Sequence, residues 1–230
     1  MPLLPFGELQ GIDLRDRAAV RRLLPKAGQP WRTVSPVNAY ELQQRCEWLS
    51  RRSIKTSSKI FALRLAISMC DLTTLEGADT EEKVRRLCNR ARNPYTPCAG
   101  MPDAETVAAP PVAAVCVYPT FIAVAKDALR GTNIKVAAVG TAFPSGQYPF
   151  RLRLADVKWA IREGADEIDM VINRGAFLQG DYRRVFDEIA KVKDACGERV
   201  HLKVILETGE LGDYDAIRKA SHIALMAGAD

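Results

Sequence analysis

Five short apolar runs alternate with helical stretches along this chain, and that alternation fixes the kind of sheet it can build. The runs are Ile67–Leu72, Val112–Tyr118, Lys135–Val139, Glu167–Ile172 and His201–Leu206. Helical spacing predicts helices over Thr80–Ala91, Pro119–Leu129, Pro149–Glu163, Tyr182–Cys196 and Tyr214–Ala227. Strands that alternate with helices imply right-handed crossovers and a parallel sheet. A weak internal repeat supports the register. Gly164-Ala165-Asp166 closes one helix and opens the fourth strand, and Gly228-Ala229-Asp230 closes another in the same way. By this logic a sixth strand is expected at the next position.

Two charges stand inside these runs, where a charge is costly. Side chains alternate between the faces of a strand. Ile168, Met170 and Ile172 therefore share one face, and Asp169 and Val171 the other. In the last run Leu202, Val204 and Leu206 share one face, and Lys203 and Ile205 the other. If both faces of the sheet are covered, Asp169 and Lys203 must be paired or put to use. An active site in the centre of a barrel has this pattern.

The remaining sequence bounds the function class. A chain of 230 residues suits one large domain, and its 47% hydrophobic content suits an ordinary core. No apolar run approaches the roughly 18 residues needed to span a membrane. The N-terminus lacks a signal-peptide pattern, so the expectation is a cytoplasmic protein with no membrane partner. The net charge of +5 is spread along the chain, with short clusters such as Arg51-Arg52 and Arg85-Arg86. A nucleic-acid stripe would be denser, and no nucleic-acid partner is expected. A mild positive bias suits a small phosphorylated substrate. None of the six cysteines (Cys46, Cys70, Cys88, Cys98, Cys116, Cys196) shares C-x-x-C spacing with another, and the histidines are His201 and His222. Reduced thiols are expected, with no metal and no cofactor. Residues 1–60 read as an N-terminal arm with helices: a short one near Leu14–Leu24, then an amphipathic stretch from Val37 to about Ile67 with a turn near Ser53–Ser58. The segment Asn93–Pro111 reads as a Pro-rich loop.

Several segments resemble deoxyribose-phosphate aldolases, a family of lysine-dependent (class I) aldolases. They are Asp71-Leu72-Thr73-Thr74-Leu75, Ala114-Val115-Cys116-Val117-Tyr118-Pro119, and Gly140-Thr141-Ala142-Phe143-Pro144-Ser145-Gly146. The runs Gly164 to Arg174 and Leu202 to Leu211 complete the set. The resemblance covers about residue 60 to residue 230. It implies an α/β fold of the (β/α)8 TIM barrel family, with about five of eight strands in residues 61–230 behind an N-terminal helical extension. It also implies reversible cleavage of 2-deoxy-D-ribose 5-phosphate to glyceraldehyde 3-phosphate and acetaldehyde. In that chemistry a lysine amine forms a Schiff base, which serves as the electron sink.

Carried over residue by residue, the resemblance makes Asp169 the proton-relay aspartate and Lys203 the supporting site lysine. Asp71 and Thr73 match polar residues at the top of strand 1, and Cys116 matches a pocket cysteine; all three line the substrate pocket on this reading. The plainer alternatives are helix capping by Asp71 or Thr73 and simple packing by Cys116. The family's Schiff-base lysine lies on strand 6, directly after a Gly-Ala-Asp such as Gly228-Ala229-Asp230, and is absent from these 230 residues. The second lysine and the phosphate loops lie later still. Two expectations follow. Strands 1 and 5 are left as open edges, which favours association, a homo-oligomer included. The residues given are also expected to be inactive alone. The rival readings are a non-catalytic interaction module and a related aldolase acting on another phosphorylated sugar.

Overall fold

The computed structural model describes Trp31, residues 34–95 and residues 109–230. Five strands form one parallel sheet in the order β1-β2-β3-β4-β5. They are β1 (Asp71–Thr73), β2 (Ala114–Val117), β3 (Lys135–Gly140), β4 (Glu167–Val171) and β5 (His201–Ile205). Each strand lies beside its predecessor, so every crossover turns the same way and the sheet is that of an unclosed barrel. The helices are α1 (Ala39–Ser50), α2 (Thr56–Ser68), α3 (Glu81–Arg92), α4 (Ile122–Ala128), α5 (Phe150–Arg162), α6 (Arg174–Leu178), α7 (Tyr182–Cys196) and α8 (Tyr214–Met226).

Local chemistry sets the helix ends. Thr80, Asp181 and Asp213 cap α3, α7 and α8, each side chain accepting the backbone N–H three residues on. The capping alternative for Asp71 and Thr73 is therefore not realised, because Thr80 fills that position in α3. The expected Pro119–Leu129 helix is divided: a 3-10 turn over Pro119–Phe121 precedes α4. The Val37–Ile67 stretch breaks into α1 and α2 as anticipated. The first strand differs from expectation. Ile67 and Ser68 end α2, and pairing starts only at Asp71. A short apolar run reads equally as strand or helix end, and here the helix wins. The Leu14–Leu24 helix, Cys98 and most of the Asn93–Pro111 loop lie outside the described residues. Cys46, Cys70, Cys88, Cys116 and Cys196 are free thiols.

The main core lies between the helices and the outer face of the sheet. Ile168, Met170, Ile172 and Leu202 are all buried there, as alternation requires. Trp31 belongs to this core too, its ring 5.8 Å from that of Phe186 on α7. The concave face carries a second, smaller cluster of Ala114, Cys116, Ala137 and Val139, backed by Leu75, Tyr118 and Phe143. By contrast, α1 and α2 bury no residue, and Trp48, Leu49, Ile60, Phe61 and Leu63 are exposed. Among the described residues no helix is long and apolar enough to cross a membrane.

The Gly-Ala-Asp repeat is a repeat of geometry. Asp166 accepts Val136 N–H at 2.8 Å through its carboxylate, donates its own N–H to Val136 O, and pairs with Lys126 of α4 at 3.0 Å. Asp230 makes the same set with Leu202 N–H (2.8 Å), Leu202 O and Lys193 of α7 (2.6 Å). Each clasp ties a helix, the strand after it and the start of the next pairing position. Removing the first is expected to expose a strand N–H and a lysine at once. Asp166→Ala should lower stability by about 2 kcal/mol in urea unfolding, and Asp166→Asn by less, because its amide oxygen still accepts.

Candidate active site

Strand register brings the two mid-strand charges together. Asp169 on β4 is the direct partner of Lys203 on β5. The sheet curls far enough for Lys203 to cross the concave face and donate a hydrogen bond to Asp71 on β1, the opposite edge. The same ammonium lies 3.0 Å from Glu167 Oε2 and 3.1 Å from Asp169 Oδ1. Cys116 on β2 closes the group, its thiol donating to Asp169 Oδ2 at 3.6 Å.

Four of the five residues singled out from sequence thus meet: Asp71, Cys116, Asp169 and Lys203. Thr73 does not join them, since its hydroxyl donates to Asp71 O at 3.4 Å within its own strand. Glu167 was missed. Alternation by two from Asp169 places it on the same face, and that signal was available in the sequence.

Burial and charge set the protonation states. The Asp169 side chain is 15% exposed and that of Lys203 36%. Burial pushes the Asp169 carboxyl above its ordinary range; the charge and close polar contact of Lys203, then the Cys116 hydrogen bond, offset only part of this, and the Asp71 charge adds to it. Burial alone would depress Lys203. The hydrogen bond to Asp71, the charge of Asp169 and the hydrogen bond to Glu167 outweigh it, so the ammonium is held well above the usual range. Burial and the Asp169 charge push the Cys116 thiol up to about 12. At neutral pH Lys203 is therefore cationic and Cys116 is a neutral thiol. Asp169 Oδ1 is buried, and its 3.1 Å contact with the ammonium is an ion pair poorly aligned for a hydrogen bond. It is a carboxylate oxygen with an open lone pair beside a fixed cation, which suits proton transfer. Among the described residues no group of three His, Cys, Asp or Glu side chains is disposed to hold a metal ion.

The loops above these strands are tied together. Arg174, just after β4, pairs with Glu207, just after β5, and donates to Pro144 O of the β3 loop at 3.1 Å. Thr141 and Ala142 both adopt left-handed backbone, with φ of 60°. The buried Thr141 hydroxyl accepts Val171 N–H and faces Val171 O, each at 2.9 Å, which continues the β3–β4 pairing after the backbone turns away. Asp156 of α5 accepts Ala142 N–H at 3.3 Å. Burial raises its carboxyl, and that hydrogen bond offsets part of the rise. At Gly146 (φ +66°) a Cβ would meet Ile172 O at 3.2 Å, so the turn needs glycine. Beneath this loop lies a cavity of about 470 Å³, lined by Tyr118, Val139, Phe143, Tyr148 and Leu152. It adjoins the charged group through Val139, the cross-strand partner of Asp169.

Comparison with known proteins identifies the family of this fold. The family model described as DeoC/LacD family aldolase matches residues 65–230. The human and mouse deoxyribose-phosphate aldolases are each 41% identical over 207 residues, covering 87% of this chain. The chain spans 64% of the length of these relatives. The fold matches that of a tetrameric deoxyribose phosphate aldolase from Aeropyrum pernix, with a TM-score of 0.56 at 24% identity over 76% of this chain and 70% of that one. The family match begins just before β1 and runs through every strand that supplies the charged cluster. On its strands and on that match, the chain belongs to the DeoC/LacD family of aldolases.

Proposed function

We propose that this chain carries the proton-relay part of a deoxyribose-phosphate aldolase site, for reversible cleavage of 2-deoxy-D-ribose 5-phosphate through a lysine Schiff base. The observation that carries the reading is Asp169: part-buried, with a buried Oδ1 that no well-aligned donor occupies and an ammonium fixed 3.1 Å from it. In cleavage Asp169 takes the proton from the sugar hydroxyl as the carbon–carbon bond breaks, and in synthesis it returns it. Lys203 stabilises the anionic form of that carboxylate. Asp71 sets the direction of Lys203, and Cys116 borders Asp169 from β2. The matched relatives are named for this activity. The protein on this reading is a cytoplasmic homo-oligomer acting on a small phosphorylated sugar.

Lys203 is not the nucleophile on this reading. A Schiff base forms from a neutral amine, and three carboxylates keep Lys203 protonated. Borohydride reduction in the presence of acetaldehyde tests this on the 230-residue chain. Expected is no reduced adduct on Lys203 in the peptide mass map, and an adduct there would overturn its supporting role. In any form of the protein that turns the sugar over, Asp169→Asn should lower kcat by roughly 10²–10⁴-fold with KM little changed.

A second reading is an interaction module. It is favoured by the exposed apolar side chains of α1 and α2. Size-exclusion chromatography separates the two readings when combined with the turnover assay.

A further inference from the structure

Glu167 is the one member of the charged group that neither the sequence motifs nor the relay chemistry employs. Its position is specific. It precedes Asp169 by two residues on β4, so both carboxylates face the concave side, and its cross-strand partner is His201 where Asp169 has Lys203. The Lys203 ammonium, whose backbone sits opposite Asp169, is thus shared with the layer below, at 3.0 Å from Glu167. Asp71 draws it across the cup at the same time. The result is visible at Asp169: Oδ1 is ion-paired with the cation at 3.1 Å, but the contact is poorly aligned for a hydrogen bond.

We propose that Glu167 is a positioning residue of this site. Together with Asp71 it holds the Lys203 ammonium off the line to Asp169, so that Asp169 Oδ1 keeps a lone pair for the substrate proton. The inference rests on the relay reading of Asp169 given above. Its physical content is charge and direction. An ammonium has three N–H bonds to aim. With Glu167 neutralised, one anion fewer competes for them, and the ammonium turns onto Asp169 Oδ1, blocking the acceptor. The other groups that face this ammonium are Asp71 from β1, Cys116 from β2 and Asp169 from β4, with His201 on its own strand. Ala137 and Val139 of β3 add no charge.

Competitive amine labelling tests this without any need for turnover. The 230-residue chain is treated with trace acetic anhydride between pH 9 and 10, and acetylation of Lys203 is read by peptide mass spectrometry as a ratio to Lys126. Lys126 is clasped by Asp166 in another part of the sheet and normalises any general loosening. Glu167→Gln removes the charge but keeps the shape, so a larger neutral fraction of Lys203 should raise the ratio by about five- to tenfold. Glu167→Asp keeps the charge and should return the ratio to within about twofold of the parent. In carbon NMR the Asp169 carboxyl should titrate at lower pH in Glu167→Gln, since it loses a like charge and gains the ammonium. An unchanged labelling ratio in Glu167→Gln, or an Asp169 midpoint that stays or rises, overturns the proposal. Because neither readout involves aldol cleavage, failure of the aldolase reading and failure of the positioning role are separate results.

Discussion

Lys203→Met is expected to lower stability by about 2 kcal/mol at pH 7, with a loss that shrinks as the solution is acidified. The cation holds three carboxylates on one concave face: Asp71, Glu167 and Asp169. Removing one partner of a buried ion pair costs about 3–5 kcal/mol. Lys203 is 36% exposed, so solvent already screens part of the interaction and the expected loss falls below that range. The pH dependence follows from linkage. In the parent the folded-state pKa of Lys203 is raised, so its contribution is fully present below the unfolded value near 10.4 and is lost only as pH rises through the folded value. In the variant the carboxylates lose their cation, and Asp169 is already raised by burial. They take up protons as pH falls, and the repulsion disappears with their charge. Thermal melts of the two proteins should differ most near neutrality and converge below about pH 5. A constant difference across that range would mean that the lysine acts by packing its stem and not by its charge.

Arg153→Ala should be costlier, by about 3–5 kcal/mol in urea unfolding at pH 7. The Arg153 side chain has no exposure, and its Nη2 donates to Glu188 Oε2 at 2.7 Å between α5 and α7. Its Nε holds Tyr148 O at 2.9 Å, which fixes the loop that leads into α5. Glu188 is itself nearly buried and keeps only Arg184, at 3.0 Å, once Arg153 is gone. The variant therefore leaves a desolvated carboxylate half-compensated and opens a cavity. A double variant, Arg153→Met with Glu188→Leu, should recover most of the loss, because no charge remains to be desolvated. Equal destabilisation of the single and double variants would assign the effect to packing volume alone.

The two ion groups also mark how far the sequence could be read. Asp169 and Lys203 were legible because a charge inside an apolar strand run has few explanations. Asp71 was legible only as a neighbour of the site; that it crosses to Lys203, 132 residues away, depends on the curl of the sheet. Glu167 opens its strand, where a charge ordinarily faces water, and only alternation from Asp169 reveals its face. Arg153 was illegible. In Phe150-Arg151-Leu152-Arg153 it reads as a solvated helix residue, yet it is buried while Leu152 is 43% exposed. Its burial depends on a glutamate 35 residues later, a pairing that no local pattern carries. Strands β2 to β5 and the long helices were set by periodicity and caps, within a residue or two at most ends. β1 was displaced because the apolar end of α2 runs directly into it.

Alanine on the concave face gives the charged group a soft floor. Ala137 stands between Cys116 on β2 and Glu167 on β4 in the strand register, and Ala114 stands beside Asp71. On the helix side of the sheet, an added methyl would press on other hydrocarbon. At Ala137 it would press on ionised groups and displace whatever water solvates them. Volume and acidity are thus coupled at this one position. A family built on such a sheet can retune its proton chemistry by changing the size of a neutral residue, leaving every charge in place.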